Sequence, residues 1–174
     1  MTTIRAIIHS IDAFTEYSGK LILWLSLIMM LLVSLVVVLR YVFQIGSVGL
    51  QELVVYLHGT AFMLGAAYTL KQGGHVRVDI FYRTFSARGQ AWVNSLGGIV
   101  FLLPLCAYIL LISLEFVGQS WQIREVSPEP GGIPAVFLLK TLIPLMAVNL
   151  GLQALAEILR SALILASDDS NAHG

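Results

Sequence analysis

KQGGHVRVDIFY, residues 71–82, separates two long apolar regions near the middle of the chain. Its two glycines are typical of a helix end. After them, His75, Arg77 and Asp79 alternate with apolar residues, and this period of two predicts a short extended segment. Such a segment has one charged and one apolar side, so we expect it to lie where a membrane surface meets water. The stretch therefore indicates a turn between two membrane-spanning regions.

The composition is that of a membrane protein. Of 174 residues, 57% are hydrophobic and 11% are charged, whereas soluble domains carry about 25% charged residues. The formal net charge is zero, which argues against nucleic acid as a partner. Cys106 is the single cysteine, which excludes a disulfide framework and a cysteine-based metal site. The first apolar run is too long for the core of a signal peptide, and we expect it to be retained.

Four segments are long and apolar enough to cross a hydrocarbon core of about 30 Å. They are residues 21–39, 53–70, 91–114 and 133–156. The predicted fold is therefore an all-α membrane protein with a four-helix domain over residues 21–159. We expect Pro104 to kink the third helix and Pro144 to bend the fourth. The tail, residues 160–174, is expected to be disordered at its end.

Residues 1–20 form a different kind of helix, because their apolar and polar side chains fall on opposite faces. Ile4, Ile7, Ile8, Ile11 and Phe14 are on one face, and Arg5, His9, Asp12 and Glu16 on the other. This amphipathic arm is too polar to span a membrane. The favoured interpretation is a helix lying in the membrane interface. The alternative is a helix packed on the end of the bundle itself.

The positive charges are distributed unequally between the two sides. With four spans, one side carries Arg5, Lys20, Lys71, Arg77, Arg83, Arg88 and Arg160, and the other carries Arg40 and Arg124. The positive-inside rule therefore predicts that both termini and the central basic loop are cytoplasmic.

Lys140 is the clearest candidate for a functional charge. It lies about 10 Å from the outer end of the fourth span at ~1.5 Å per residue, and a lysine at this depth is costly. The side chain could extend outward to water, or pair with Glu115, Glu129 or Glu52. A direct role in transport is the remaining interpretation.

Polar and small residues on two other spans predict helix contacts. Asn149, Gln153 and Glu157 form a stripe on the fourth span, which we expect to face protein, either this bundle or a second membrane protein. Gly65 lies in a strip of small residues with Ala61 and Thr69, and such strips permit close helix packing.

The sequence shows no arrangement of residues that is typical of a catalytic site or of a cofactor site. His58 is the one histidine within a span, whereas a haem between helices usually takes two facing histidines. A hydrogen bond between helices is the simpler interpretation of His58. The sequence contains no nucleophile with a base, no phosphate-binding loop and no ligands at metal spacing. It therefore indicates a subunit and not an enzyme.

Several motifs occur at characteristic distances along the chain. They are Glu52-Leu53, Gly65-Ala66-Ala67, the segment Gly74–Asp79, and the segment Ser127–Pro134 followed by Lys140 and Pro144. Together they resemble the small membrane subunit (DctQ type) of tripartite ATP-independent periplasmic (TRAP) transporters. The likeness covers about residues 21–159.

The resemblance implies a multi-pass protein of the bacterial inner membrane with two protein partners. A large membrane subunit would hold the substrate and sodium sites, and a periplasmic substrate-binding protein would deliver an organic acid or similar solute. The small subunit would scaffold the large one and hold no cofactor itself. Glu52, His75, Arg77 and Asp79 would be positioning residues, and we assign Arg124, Glu125 and Glu129 to the periplasmic docking face.

Two other functions compete with this one. A membrane-anchor subunit of a redox complex would contain a haem or quinone site, for which His58 is the inner candidate. A small autonomous channel would need a polar path, which only Lys140, Asn149, Gln153 and His58 are available to line.

Overall fold

The computed structural model describes the backbone of residues 2–74, 82 and 84–172, and the side chains of residues 3–74, 82 and 84–166. Over these ranges the protein is all-helical, and no strand occurs in them. Four helices are long and apolar enough to cross a membrane, which confirms the predicted fold class. They are α1 Thr2–Tyr41, α2 Val48–Lys71, α3 Ala87–Gln122 and α4 Val136–Ala172. The extended segment predicted for residues 75–80 lies outside the described residues.

The helices run alternately up and down, and α4 packs against all three of the others. The beginning of α1, the end of α2, the beginning of α3 and the end of α4 lie together at one end, called the terminal end here. The opposite end, with the connections 42–47 and 123–135, is called the loop end. The buried residues of α4 are small or polar: Ala147, Asn149, Gln153, Ala154, Ala156 and Ser161. Small side chains let the central helix approach its neighbours closely.

The amphipathic arm is the beginning of α1 and is continuous with the first span. The 40 residues of α1 give a helix about 60 Å long at ~1.5 Å per residue. Ile8 and Thr15 are buried against the bundle. Part of the polar face of the arm therefore finds hydrogen-bond partners on α4, as the packed alternative expects.

The third span contains a π-helical turn, Gly98–Leu102, within α3. The amide of Leu103 donates to the carbonyl of Gly98, and Pro104 follows at once. Since proline has no N–H and clashes with the preceding turn of an α-helix, a π turn placed before it accommodates the ring. The irregularity expected at Pro104 is thus spread over the preceding turn, while α4 continues through Pro144.

The helix ends follow recognisable sequence signals. Ser47 caps α2, its hydroxyl accepting from the Leu50 amide at 3.3 Å. After α2, Gly73 adopts φ +65°, as expected for a glycine that terminates a helix. The backbone of α4 remains helical to Ala172, although the tail after Ala166 was expected to be disordered. No glycine or proline follows Gly151 before the end of that helix, so nothing interrupts it.

Candidate functional site

At the loop end, the carboxylate of Glu52 holds the α3–α4 connection against α2. Its Oε1 accepts a hydrogen bond from the Ser127 hydroxyl, and its Oε2 accepts one from the Ile133 amide at 2.6 Å. These two donors lie on either side of the turn formed by residues 128–132. Hydrogen bonds to a carboxylate are stronger than neutral ones, so Glu52 positions the whole turn.

A second carboxylate at the loop end pairs with the intramembrane lysine. Lys140 donates to Glu125 Oε2 at 2.5 Å, and the Ser120 hydroxyl donates to the same oxygen at 2.6 Å. The ammonium group also lies 4.1 Å from the centre of the Phe116 ring, at the distance of a cation–π contact. The hydrogen bonds from Lys140 and Ser120 hold the pKa of Glu125 below its ordinary value of 4.5. We call Glu52, Ser120, Glu125, Ser127 and Lys140 the loop cluster.

Pairing was one of three interpretations of Lys140, beside extension to water and a direct role in transport. Its partner in the structure is Glu125, and not Glu115, Glu129 or Glu52. Arg124 adopts φ +46°, and the Glu125 amide donates back to the Ser120 carbonyl. This reversal of the chain turns the Glu125 carboxylate inward over the end of α3. A left-handed backbone conformation at an arginine cannot be predicted from the sequence.

Backbone geometry makes the α3–α4 turn compact. Gly131 adopts φ +79°, a conformation that favours glycine. A Cβ at Gly132 would lie 2.4 Å from Ser127 Oγ and 2.8 Å from Glu52 Oε1, so no larger residue fits. On the outside of this turn, Arg124 and Glu129 are exposed. Of the three predicted docking residues, Glu125 has its side chain bonded to Ser120 and Lys140 within the described part of the chain.

At the terminal end, Gln153 joins α1 to α4. Its Oε1 accepts from the Thr15 hydroxyl at 2.7 Å, and its Nε2 donates to Asp12 Oδ1 at 3.2 Å. Both Gln153 and Thr15 are 0% exposed. A buried amide and hydroxyl of this kind are costly unless they are hydrogen-bonded, so they specify how α1 lies on α4.

Charged residues extend this contact to α2 and to the outside of α4. Arg160 donates to Asp12 Oδ2 at 2.7 Å and to Glu157 Oε1 at 2.6 Å. Lys71, the last residue of α2, donates to Glu16 Oε2 at 2.7 Å and to the Asp12 carbonyl at 2.9 Å. The terminal cluster is defined as Asp12, Thr15, Glu16, Lys71, Gln153, Glu157 and Arg160.

The predicted stripe on the fourth span faces this bundle and not its outer surface. Gln153 and Asn149 are buried, and Asn149 Nδ2 donates to the Leu64 carbonyl on α2 at 3.3 Å. Both residues therefore position helices within the chain. Gly65 differs from the expectation of close contact, since a Cβ there would be 4.0 Å from its nearest neighbour, Ile22 Cδ1.

The remaining predicted residues are either exposed or not described. His58 is on the outer surface of α2, so within the described residues it does not make the interhelical hydrogen bond that was expected. His75, Arg77 and Asp79 lie outside the described residues.

Sequence reasoning missed the tightest helix contacts. A Cβ on Gly19 would lie 2.2 Å from the Tyr68 ring, and one on Gly98 would lie 2.7 Å from Ile158. It also missed Ser127 and Thr15 as hydrogen-bond partners. An isolated glycine or serine in an apolar run is a weak signal, because its meaning depends on the helix opposite.

The two clusters have the chemistry of structural contacts. Each carboxylate in them accepts hydrogen bonds from neighbouring side chains or amides. In the ranges with described side chains, no group of three histidine, cysteine or carboxylate residues is arranged to hold a metal ion. The arrangement fixes helices and a loop relative to one another.

Comparison with known proteins identifies the type of chain. A family model described as "Tripartite ATP-independent periplasmic transporters, DctQ component" matches residues 29–163, which include the later part of the first predicted span and all of the other three. No curated protein and no solved structure matches the chain.

Proposed function

Because the chain belongs to the DctQ family of tripartite ATP-independent periplasmic transporter components, and is thus a small permease subunit, we propose that it acts as a non-catalytic scaffold. Its partners in this proposal are a large membrane subunit and a periplasmic substrate-binding protein. The large subunit holds the sodium and substrate sites and takes up an organic acid or similar small solute. This chain then needs no cofactor of its own.

The observation that carries the scaffold proposal is the pair of polar clusters at opposite ends of the bundle. One cluster joins α1, α2 and α4, and the other joins α2 to the α3–α4 connection. A subunit that must resist the motion of a neighbour has to be stiff along its length. Hydrogen bonds at both ends of four long helices supply this stiffness, since they oppose sliding and separation of the helices.

The distribution of basic residues supports an inner-membrane orientation with both termini in the cytoplasm. In this orientation the loop end faces the periplasm. The rigid turn there, with Arg124 and Glu129 exposed, is the surface that we assign to docking of the binding protein. The Glu52 and Glu125 contacts hold that surface in place before the partner arrives.

Reconstitution tests the proposed function. The chain and its large membrane subunit are placed together in vesicles with a sodium gradient, and the binding protein is loaded with solute. Uptake is expected only when all three proteins are present. Uptake without this chain would contradict the scaffold role, and a solute flux or a haem spectrum from this chain alone would contradict the non-catalytic role.

A further inference from the structure

The hydrophobicity of α2 does not match its burial. It is the least hydrophobic of the four spans, yet only Ala67 is buried among its residues. In α4, which is also moderately polar, the polar residues are inside the bundle. In α1, which is well exposed, the spanning part is the most hydrophobic in the chain. Within the described residues, α2 therefore presents polar side chains, including an imidazole, to the outside of its span.

That polarity is concentrated on one face. Gln51, Val55, His58 and Phe62 are exposed, and their spacing of four, three and four residues places them on one side of the helix. His58 lies about 15 Å from the first residue of α2 at ~1.5 Å per residue, near the midpoint of this 24-residue helix. We call these four residues the α2 face.

His58 has no polar partner in the described part of the chain. Its ring stacks on Phe62, with the centroids 6.3 Å apart. The Phe62 side chain has no oxygen or nitrogen atom to accept a hydrogen bond from the imidazole N–H of His58. Lipid tails offer no acceptor at this depth either. An unsatisfied polar group in hydrocarbon is costly, so polar side chains in spans are found against protein.

A groove between α1 and α2 continues the α2 face toward the terminal end. It has a volume of about 460 Å³ and shares Phe62 with that face. Its walls include Ala61, Gly65 and Ala66, whose small side chains leave it open. A concave, apolar surface of this kind fits the convex ridge of another helix.

Two other occupants fit this surface poorly. A lipid tail could fill the groove but would leave His58 unsatisfied. A second copy of the chain, related by a two-fold axis through the α2 face, would place groove against groove and leave both unfilled. A transmembrane helix from a different protein can supply both an acceptor for His58 and side chains for the groove.

We propose that the α2 face and the adjoining groove bind a transmembrane helix of the large subunit, with a hydrogen-bond acceptor opposite His58. This inference rests on the proposed function, because it takes the large subunit as the partner. It adds the side of the bundle at which that subunit binds and the chemical character of the binding helix. The outer faces of α1 and α3 are then left for lipid.

Photocrosslinking tests the position of the contact. Phe62 on the α2 face and Phe101 in α3 are both 73% exposed, so each can be replaced by benzoylphenylalanine with a similar environment in the free chain. In the complex assembled in membranes, the Phe62 position is expected to crosslink to the large subunit, and the Phe101 position is expected to give only lipid adducts.

The outcomes separate this inference from the proposed function. If the large subunit does not co-purify with the unmodified chain, the proposed function itself fails. If the complex co-purifies but the Phe62 position crosslinks only to lipid or to a second copy of the chain, the α2 face is not the contact. Crosslinking of the Phe101 position to the large subunit, with none from Phe62, would likewise overturn the inference.

Substitutions test the two features separately. His58→Leu is expected to weaken retention of the large subunit by about threefold to tenfold, while Tyr108→Leu, at an exposed site on α3, leaves it unchanged. Gly65→Leu fills the groove and should lower co-purification further, whereas Gly118→Leu, which also enters open space, should not. Unchanged retention in both α2 variants, with the thermal stability of each chain preserved, would overturn the inference.

Discussion

The two polar clusters stabilise different parts of the protein, one the packing of whole helices and the other a connection, although both are built around carboxylates. The terminal cluster joins whole helices, and its contacts connect residues up to 148 positions apart in the chain. The loop cluster joins a connection to the helices beside it. Its ion pair spans 15 positions, and the hydrogen bonds to Glu52 span 75 and 81. The terminal cluster contains the fully buried Thr15 and Gln153, while in the loop cluster Ser120 is buried and the Glu125–Lys140 pair is partly exposed.

This difference indicates a division of structural roles. Buried hydrogen bonds between distant helices decide how the bundle assembles, so damage at the terminal end should lower the stability of the whole chain. Contacts around a loop decide the shape of a surface, so damage at the loop end should change that surface first. The following predictions test this contrast, from the largest expected effect to the smallest.

Gln153→Leu should have the largest effect on stability. It leaves the buried Thr15 hydroxyl and one oxygen of Asp12 without their partner, and the expected loss is about 2–3 kcal/mol of the free energy of unfolding. Gln119→Leu is the control, since Gln119 is exposed on α3 and bonds only to Glu115. Thermal unfolding in detergent measures both. Equal stabilities would show that the terminal cluster does not hold the bundle.

Gly132→Ala should disturb the loop end without unfolding the bundle. The added Cβ displaces Ser127 or Glu52, at a cost of about 1–3 kcal/mol, and weakens the bond from the Ile133 amide to Glu52. Hydrogen exchange at Ile133 should accelerate about tenfold. Gly118→Ala, which meets nothing within 4 Å, is the control. Faster exchange throughout α1 and α4 would contradict a local effect.

Acidification should release the Glu125–Lys140 pair. Because the pKa of Glu125 is lower in the folded chain than its ordinary 4.5, the stabilisation from its ionised form is complete above about pH 4.5. It is lost as the pH falls through the folded pKa. Trp121, which donates to Thr141 on α4, reports this change by fluorescence in a chain carrying Trp24→Phe and Trp92→Phe. A transition that persists in Glu125→Gln would exclude this carboxylate as its cause.

Glu129→Lys should have the smallest effect on stability and act on uptake alone. Exposed substitutions usually change the free energy of unfolding by less than about 0.5 kcal/mol. Under limiting binding protein, uptake should fall several-fold with assembly intact, and the same holds for charge reversal at Arg124. Glu115→Lys, an exposed change on α3, should leave uptake normal. Normal uptake in the Glu129 variant would contradict the docking assignment.

The limits of sequence reasoning differ between the two ends. Asn149 and Gln153 were identified as groups that face protein, because polar side chains in an apolar span cannot face lipid. Thr15 and Asp12 were not identified as the partners of Gln153, since both lie in an amphipathic arm whose polar face is equally suited to water. At the loop end, Glu52 and Lys140 were recognised as important, but Ser127 and Glu125 were not recognised as their partners.

The sequence by itself determined the number of spans, the helix-terminating glycines after α2, and the family. These follow from local composition and spacing, because apolar runs and glycine pairs act over a few residues. Only the tertiary structure decided that the arm continues α1 onto α4, that Lys140 pairs with Glu125, and that His58 faces outward. These depend on which side chains meet across the bundle. Hydrogen bonds between residues far apart in the chain leave no periodic trace in it.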